Sequence, residues 1–513
     1  MYLQSVQNRT EINEVKMRKY EYSIHITHVK MLLGIMCVAL VLLVFGGCST
    51  PTEPKNSLSG SVEISGQTSF ADVTVAVYNI VPMDTSLVRI NSQFSGIGMH
   101  ISQETEFDFR ERTPILVTQT DAEGNFSFSD ITQGNYNIVV YKHGYGFRVF
   151  YNYDIQSGEN ILNSATANNR IILYPETTLT SLVTTNMVFE SGHHYIISGE
   201  VNFDQGTSVT FKPGAYIRIT PNGILRLRGV VNIQGTPDSL IHITSNDGLV
   251  VTKGIPSGVR TIQRFNQVSL EQTAVVVDEV VEGCIFTYGD YGLSSTIQCD
   301  VKNSIFRMNY SAFKTYQIND ISVENCLFQG SLSAVEMTSI NNISFLKNIF
   351  YNNTQALYVK IIADGLIKNN YFLNNSNKAI RIEYNSYPDI NHNYIAGSEV
   401  GIYIHQNCTF LINFNQIICN IGIDTDGNYV NPTATNNNLY CTQTGYAIRY
   451  RSLSGGAMSA LNNYWGVVTS EQISDRIYDV YDWPVGDPNL SLADEVFFVP
   501  FRNAALTSAG VEH

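Results

Sequence analysis

Apolar and polar positions recur in this chain with a period of about 22 residues from Cys284 to Trp465. Each repeat closes on a small or amide residue followed by apolar ones. Examples are Cys284-Ile285-Phe286, Ser304-Ile305-Phe306, Cys326-Leu327-Phe328, Asn348-Ile349-Phe350 and Asn370-Tyr371-Phe372. The series continues with Asn393-Tyr394-Ile395, Asn415-Gln416-Ile417, Asn438-Leu439-Tyr440 and Asn463-Tyr464-Trp465. A second column keeps the same phase: Gly292, Ala312, Ala334, Ala356, Ala379, Gly401, Gly422 and Ala447, each before Leu, Phe, Val or Ile. Two columns locked to one period imply stacked supersecondary units. At roughly 3.3 Å per strand residue, such a repeat is one coil of three short strands and their turns. The expected fold class is therefore all-β, a parallel β-helix solenoid.

Stacking gives the residue choices a physical reason. Coils about 4.8 Å apart place like side chains on one another. Asn348, Asn370, Asn393, Asn415, Asn438 and Asn463 should then form an inward amide ladder at one corner, with Ser304, Cys284 and Cys326 in the same slot of earlier coils. The Gly/Ala column marks a tight place, where a larger side chain would collide with the strand opposite. A disordered Asn-rich tract would not keep its apolar residues in phase.

Before the repeats the pattern changes twice. Val73, Val75 and Val77 alternate with polar residues, as a half-buried strand should. Asp121-Ala122-Glu123-Gly124-Asn125-Phe126-Ser127-Phe128 reads as a turn and a strand with both Phe on one face, and Gly134 opens the next strand. With Gly60-Ser61-Val62, residues 57–176 resemble the carboxypeptidase regulatory-like module, a transthyretin-type β-sandwich. The polar segment from Asn79 to about Pro114 would be an insertion in it. The resemblance implies a spacer or binding accessory without catalytic residues. From Thr177 to about Ser245 the alternation is clean again, around a Pro213-Gly214 turn. This opening, and a close of Leu461-Asn462-Asn463-Tyr464-Trp465-Gly466 and Pro500-Phe501, are similar to bacterial right-handed parallel β-helix repeat proteins of the pectate-lyase-like superfamily, over 177–501. A helix over Ser470 to Val480, with Ile473, Ile477 and Val480 on one face, should cap the last coil's open edge. Residues 502–513 form a tail.

The amino terminus concerns address. Met31 to Gly47 is an uncharged apolar run behind Lys30 that ends Phe45-Gly46-Gly47-Cys48-Ser49. Residues 1–48 resemble a lipoprotein signal peptide, with Phe45 where Leu is usual, and initiation at Met17 or Met31 would suit its length. The resemblance implies lipidation at Cys48, a membrane partner through that lipid, and a cell-envelope location in the outer membrane or at the cell surface. Residues 49–56, with Pro51 and Pro54, read as a tether.

Composition narrows the function. A net charge of -14 argues against nucleic acid as a partner. No Cys-x-x-Cys or His-x-x-x-His spacing points to a metal, and no cofactor is expected. Cys284 and Cys326 should be core thiols, while Cys419 and Cys441, one coil apart, either pair or stack. His193-His194 reads as a solvated loop pair. If Phe313, Val335, Leu357, Ile380, Ile402, Ile423 and Ile448 face inward, the residues one and three later face solvent in two columns. They begin with Lys314 and Tyr316, then Glu336 and Thr338. Tyr358, Lys360, Arg381, Glu383, Tyr403, His405, Asp424, Asp426, Arg449 and Arg451 continue them as a candidate ligand face. Tyr358 and Tyr403 would stack on sugar rings and an arginine would hold a uronate. The plain alternative is an exposed sheet on which Lys360 answers Glu383, Arg449 answers Asp424 and Arg451 answers Asp426.

Catalysis has weaker support. Glu383, Asp424 and Asp426 are the candidate carboxylates, but no residue is assigned a catalytic role. Ile423-Asp424-Thr425-Asp426-Gly427 only partly matches the first motif of polygalacturonase-like helices, and their Gly-His-Gly is missing. The expectation is a monomeric, non-catalytic envelope lipoprotein that binds polysaccharide or serves as an adhesive or scaffolding rod. The alternative is a polysaccharide lyase or inverting glycoside hydrolase working along the same face.

Overall fold

A computed structural model describes residues 55–163, 168–247, 262–453, 456–483 and 495–512. The expected signal segment, Cys48 and nearly all of the expected tether lie outside them. The described residues fall into two units: 55–58 with 129–134 and 155–160, and the remainder. The second carries the architecture discussed below.

Antiparallel sheets precede the solenoid. Strand Thr74–Asn79 runs antiparallel to Leu116–Gln119 and to the strand that ends at Tyr141. Val73, Val75 and Val77 are buried, in line with the alternation. The strand is not half-buried, however. Ala76 and Tyr78 on its other face pack with Phe107, Val139, Tyr141 and Phe147. In the hairpin Asp121 Oδ1 accepts the Asn125 N–H at 2.7 Å. Gly124 has φ +87°, and a Cβ there would sit 2.1 Å from the Val62 carbonyl oxygen, so only glycine fits. Phe126 and Phe128 are both buried, on one face of their strand.

The segment from Asn79 to Pro114 is more than a polar insertion. It holds a helix, Thr85–Gln93, capped by Asp84, whose Oδ1 accepts from the amides of Ser86 and Leu87. Leu87, Ile90, Ile97 and Met99 pack against Ile285, Ile305, Leu327 and Ile349. Those four stand in register on successive coils and face out of the solenoid. Four apolar residues dispersed in a polar stretch acquire a role only once that column exists.

The solenoid has about twelve turns. Its strands pair in parallel, each with the equivalent strand one coil on, as in Phe306↔Phe328↔Phe350↔Phe372. These rings stack nearly parallel inside, with centroids 4.9, 4.9 and 4.6 Å apart. The amide ladder runs along one corner. Asn348 Nδ2 donates to Asn370 Oδ1, Asn370 to Asn393, and Asn393 to Asn415, each at 3.0 Å. Each Oδ1 also accepts the backbone N–H of the ladder residue below it. The slot extends down through Cys326, whose N–H is bound by Asn348, and through Cys284, whose N–H is bound by Ser304.

Several expectations need correction. Asn437, not Asn438, is the ladder residue: it accepts from Asn415 and donates to Asn463. Asn438 instead holds Leu506 by two bonds. The residue before each ladder position, Lys347, Asn369, His392, Phe414 and Asn436 among them, has a positive φ, and a run of three asparagines hid which one turned. A second, unanticipated ladder occupies another corner, where Asn353 donates to Asn375 at 3.0 Å and binds the Ser331 N–H. The Gly/Ala column is tight for another reason than proposed. A Cβ on Gly401 or Gly422 would meet a carbonyl oxygen of the next coil, at 2.6 and 2.5 Å, rather than the opposite strand.

At the carboxyl end the helix covers only Ser470–Ser474. Ile477–Tyr478 forms a strand paired with Ile448 and Arg449, and a 3-10 turn follows over Val480–Asp482. Ile473, Ile477 and Val480 are buried as anticipated, so the apolar stripe holds while the helix stops early. The tail folds back along the coils: Glu512 bridges Lys368 at 2.8 Å and His392 at 3.0 Å. Cys284 and Cys326 are buried free thiols, and burial pushes the Cys326 thiol up to about 12. Cys419 and Cys441 lie in register on adjacent coils, both free, so they stack rather than bridge.

Candidate functional site

All seven predicted inward residues, from Phe313 to Ile448, are completely buried. Their neighbours therefore form two outward columns. The first runs Lys314↔Glu336↔Tyr358↔Arg381↔Tyr403↔Asp424↔Arg449, and the second Tyr316↔Thr338↔Lys360↔Glu383↔His405↔Asp426. Arg451 follows Arg449 on the same face.

Of the three expected pairs, Arg449 with Asp424 forms as anticipated, and the other two do not. Glu383 is 4 % exposed and is held by Arg381, two residues back on its own strand, at 2.6 Å. Its other oxygen accepts from the Tyr358 hydroxyl at 2.9 Å. Lys360, beside Glu383 in register, instead lies over the Tyr384 ring at 4.8 Å. Asp424 is 2 % exposed and takes both arginines: Arg449 donates to its two oxygens at 2.8 and 2.6 Å, and Arg451 at 3.0 and 3.2 Å. Arg451 thus serves Asp424 rather than Asp426, which it approaches only to 3.9 Å. These are partly dry ion pairs, not the solvated ones anticipated. The four bonds to Asp424 fill its acceptor sites, and Glu383 takes two from Arg381 on one oxygen and one from Tyr358 on the other, so both are engaged as ion-pair partners. Among the described residues no three His, Cys, Asp or Glu are placed to hold a metal ion.

The electrostatics follow from this packing. Burial, reinforced by the bond to Glu383, pushes the Tyr358 phenol up to about 12. Burial and the Asp426 carboxylate do the same for Tyr403. Both phenols thus stay protonated well above physiological pH, where an ordinary tyrosine is already neutral. The guanidinium of Arg381 lies 4.5 Å over Tyr358 and the ammonium of Lys378 4.8 Å over Tyr403. His405 stacks beside Tyr403, with ring centroids 6.3 Å apart, and its Nδ1 has no partner.

The first column also continues towards the amino terminus, through Arg226↔Ser269 and Ser294↔Lys314. There the face opens into a polar groove of about 530 Å³ lined by Arg226, Arg228, Gln267, Glu271, Gln272 and Tyr316, among others. Glu271 bridges Arg226 at 2.6 Å and Arg228 at 2.7 Å. Sequence reasoning missed this end. Arg228 and Glu271 are 43 residues apart, so the period breaks where the groove forms. The alternation Leu225-Arg226-Leu227-Arg228 was the available signal.

His194 also departs from expectation. It is a buried strand residue, not solvated: Nε2 lies 2.8 Å from the Phe147 carbonyl oxygen, and the ring stacks on Tyr216. Burial and Arg218 hold it well below the usual histidine value. His193 stacks on Tyr174, with centroids 3.9 Å apart.

Parallel coils, inward amide ladders and a polar outward sheet define a β-helical solenoid protein preceded by antiparallel sheets. Residues 270–439 match the family described as the right handed beta helix region, which gives the coil its hand. No curated protein and no solved structure matches the chain.

Proposed function

We propose that the two-column face holds an extended polysaccharide without cleaving it. The observation that carries this reading is the occupation of Glu383 and Asp424 by Arg381, Arg449 and Arg451 beside two neutral tyrosine rings. Such a strip presents to successive sugars the ring face that each tyrosine keeps opposite its cation, with the Tyr403 hydroxyl, held only at 3.5 Å by Asp426, as the looser donor. Cleavage by an inverting route would need two free carboxyl groups about 6.5–9.5 Å apart. Glu336 and Asp426 are the partly exposed, loosely held carboxylates of this strip, and they stand four coils apart, about 19 Å, too far to work as such a pair. In this reading the carboxypeptidase regulatory-like sheets act as a spacer, and a lipid on Cys48 anchors the chain in the cell envelope.

The test is to incubate the purified protein with uronate and neutral glycans, following retention and the release of reducing or unsaturated ends. Retention without product, weakened roughly tenfold by Tyr403→Ala, supports the binder. Product that disappears with Asp426→Asn would establish the enzyme instead. Neither retention nor product leaves a scaffolding rod. Palmitate labelling lost in Cys48→Ser tests the anchor.

A further inference from the structure

A second site lies on another sheet of the solenoid, under the segment that follows the capped helix. A crevice of about 60 Å³ opens there, walled by Phe107, Asp108 and Arg110 on one side and by Tyr216, Arg218, Tyr288 and Arg307 on the other. A single water needs about 10–15 Å³ by this measure, so the space admits roughly four to six water-sized atoms. A sugar ring is too large for it.

The polar groups of the wall are unevenly satisfied. The lining carboxylates are engaged, Asp108 by Arg110 at 2.6 Å and Glu104 at 3.0 Å from His242 Nε2. Behind the lining, Glu106 Oε1, on the carboxylate nearest Arg307, is buried without a partner, and Arg307 also donates to the Thr105 carbonyl oxygen at 3.4 Å. Arg110 is fully used, donating also to Thr244 Oγ1 at 3.0 Å and to the Ser245 carbonyl oxygen at 2.5 Å. Three buried side-chain atoms of the lining have no partner, and each can donate: Arg218 Nε, Arg307 Nε and the Tyr288 hydroxyl. Arg218 is 2 % exposed and Tyr288 7 %. Arg218 keeps only Glu176 as an ion-pair partner, and Arg307 reaches Glu106 at a loose 3.7 Å. Buried donors without partners are costly, and native proteins seldom leave three around one space. What fills this crevice must present acceptors and offer few donors.

We propose that the crevice binds a small oxyanion, either a short carboxylate or an inorganic anion such as sulfate or phosphate, through Arg218, Arg307 and Tyr288. Planar guanidinium groups suit carboxylate, sulfate and phosphate oxygens alike. The site is separate from the glycan face and does not depend on it.

Calorimetric titration of the whole protein with acetate, pyruvate, sulfate and phosphate, at ionic strength fixed by chloride, tests the proposal. At least one probe should bind and should lose about tenfold or more in affinity in Tyr288→Phe, which removes one hydroxyl and little else. Arg307→Gln should lose as much, with thermal unfolding showing that the variant folds. A carboxylate bound over sulfate and phosphate, or the reverse, identifies the class. Absence of binding by all four at millimolar concentration overturns the proposal. So does binding unchanged in Tyr288→Phe, or density in the probe-soaked crystal that resolves into waters alone.

Discussion

Replacing Asn393 by Ala removes one rung of the amide ladder. The side chain accepts the Asn370 backbone N–H at 3.0 Å and donates to the Ile367 carbonyl oxygen at 2.8 Å, to Asn391 O at 3.0 Å and to Asn415 Oδ1 at 3.0 Å. Asn370 and Asn393 are completely buried, so water cannot replace what is lost. Stranding the Asn370 N–H and one buried carbonyl costs about 1–3 kcal/mol each, hence about 2–6 kcal/mol together. In a solenoid that loss falls mainly on the coils that share the rung. Hydrogen–deuterium exchange of peptides covering residues 367–372 should therefore accelerate at least roughly thirtyfold, since about 1.4 kcal/mol is a factor of ten. Asn341→Ala serves as the control, because Asn341 donates to Asn319 at 3.0 Å in an exposed pair. It should change exchange by less than about threefold. If the two variants behaved alike, the ladder would be ornamental and the account of the corner wrong.

Three further outcomes are expected. His194 is held below its unfolded value near 6.5, so the unfolded chain takes up the proton first. Stability should then fall as pH drops below about 6.5, by about 1.4 kcal/mol per pH unit, and urea titrations of His194→Gln should lose that part of the slope. Asp424→Asn should lower the urea midpoint by the equivalent of about 1–3 kcal/mol, because two half-exposed arginines lose their shared carboxylate; an unchanged midpoint would show that the pairs contribute nothing. Phe328→Ala opens the ring stack and should cost about 3–5 kcal/mol, against roughly 1 kcal/mol for Phe328→Leu, read from thermal unfolding.

The solenoid was legible because stacking turns a sequence period into a physical column. Phe306, Phe328 and Phe350 could be placed from spacing alone, and so could the alternation that sends Tyr358, Tyr403 and Asp424 outward. Chemistry within the face was less legible. Register puts Lys360 beside Glu383, but a guanidinium on the same strand reaches that carboxylate with better geometry, and no column predicts which way a long side chain leans. The cover over Ile285, Ile305 and Ile349 was missed although Asp84 before Leu87 and Ile90, three residues apart, is a helix signal, because one short apolar pair and an isolated Met99 do not say what they cover. The groove at Arg226 was lost where coil length changes, and the turn at Asn436 because its neighbours are the same residue.

The uniform ladder also makes the protein editable. Every joint between Asn348 and Asn415 offers the same donors and acceptors at a spacing of 22 or 23 residues. Excising 349–370, a cassette of 22 residues, would bring Asn348 directly onto Asn393 and leave each remaining joint intact. Removing one residue more or fewer at that joint would reverse the facing of the strand positions up to the next corner, whereas the 23-residue coil from Asn370 to Asn393 takes its extra residue and keeps the rung.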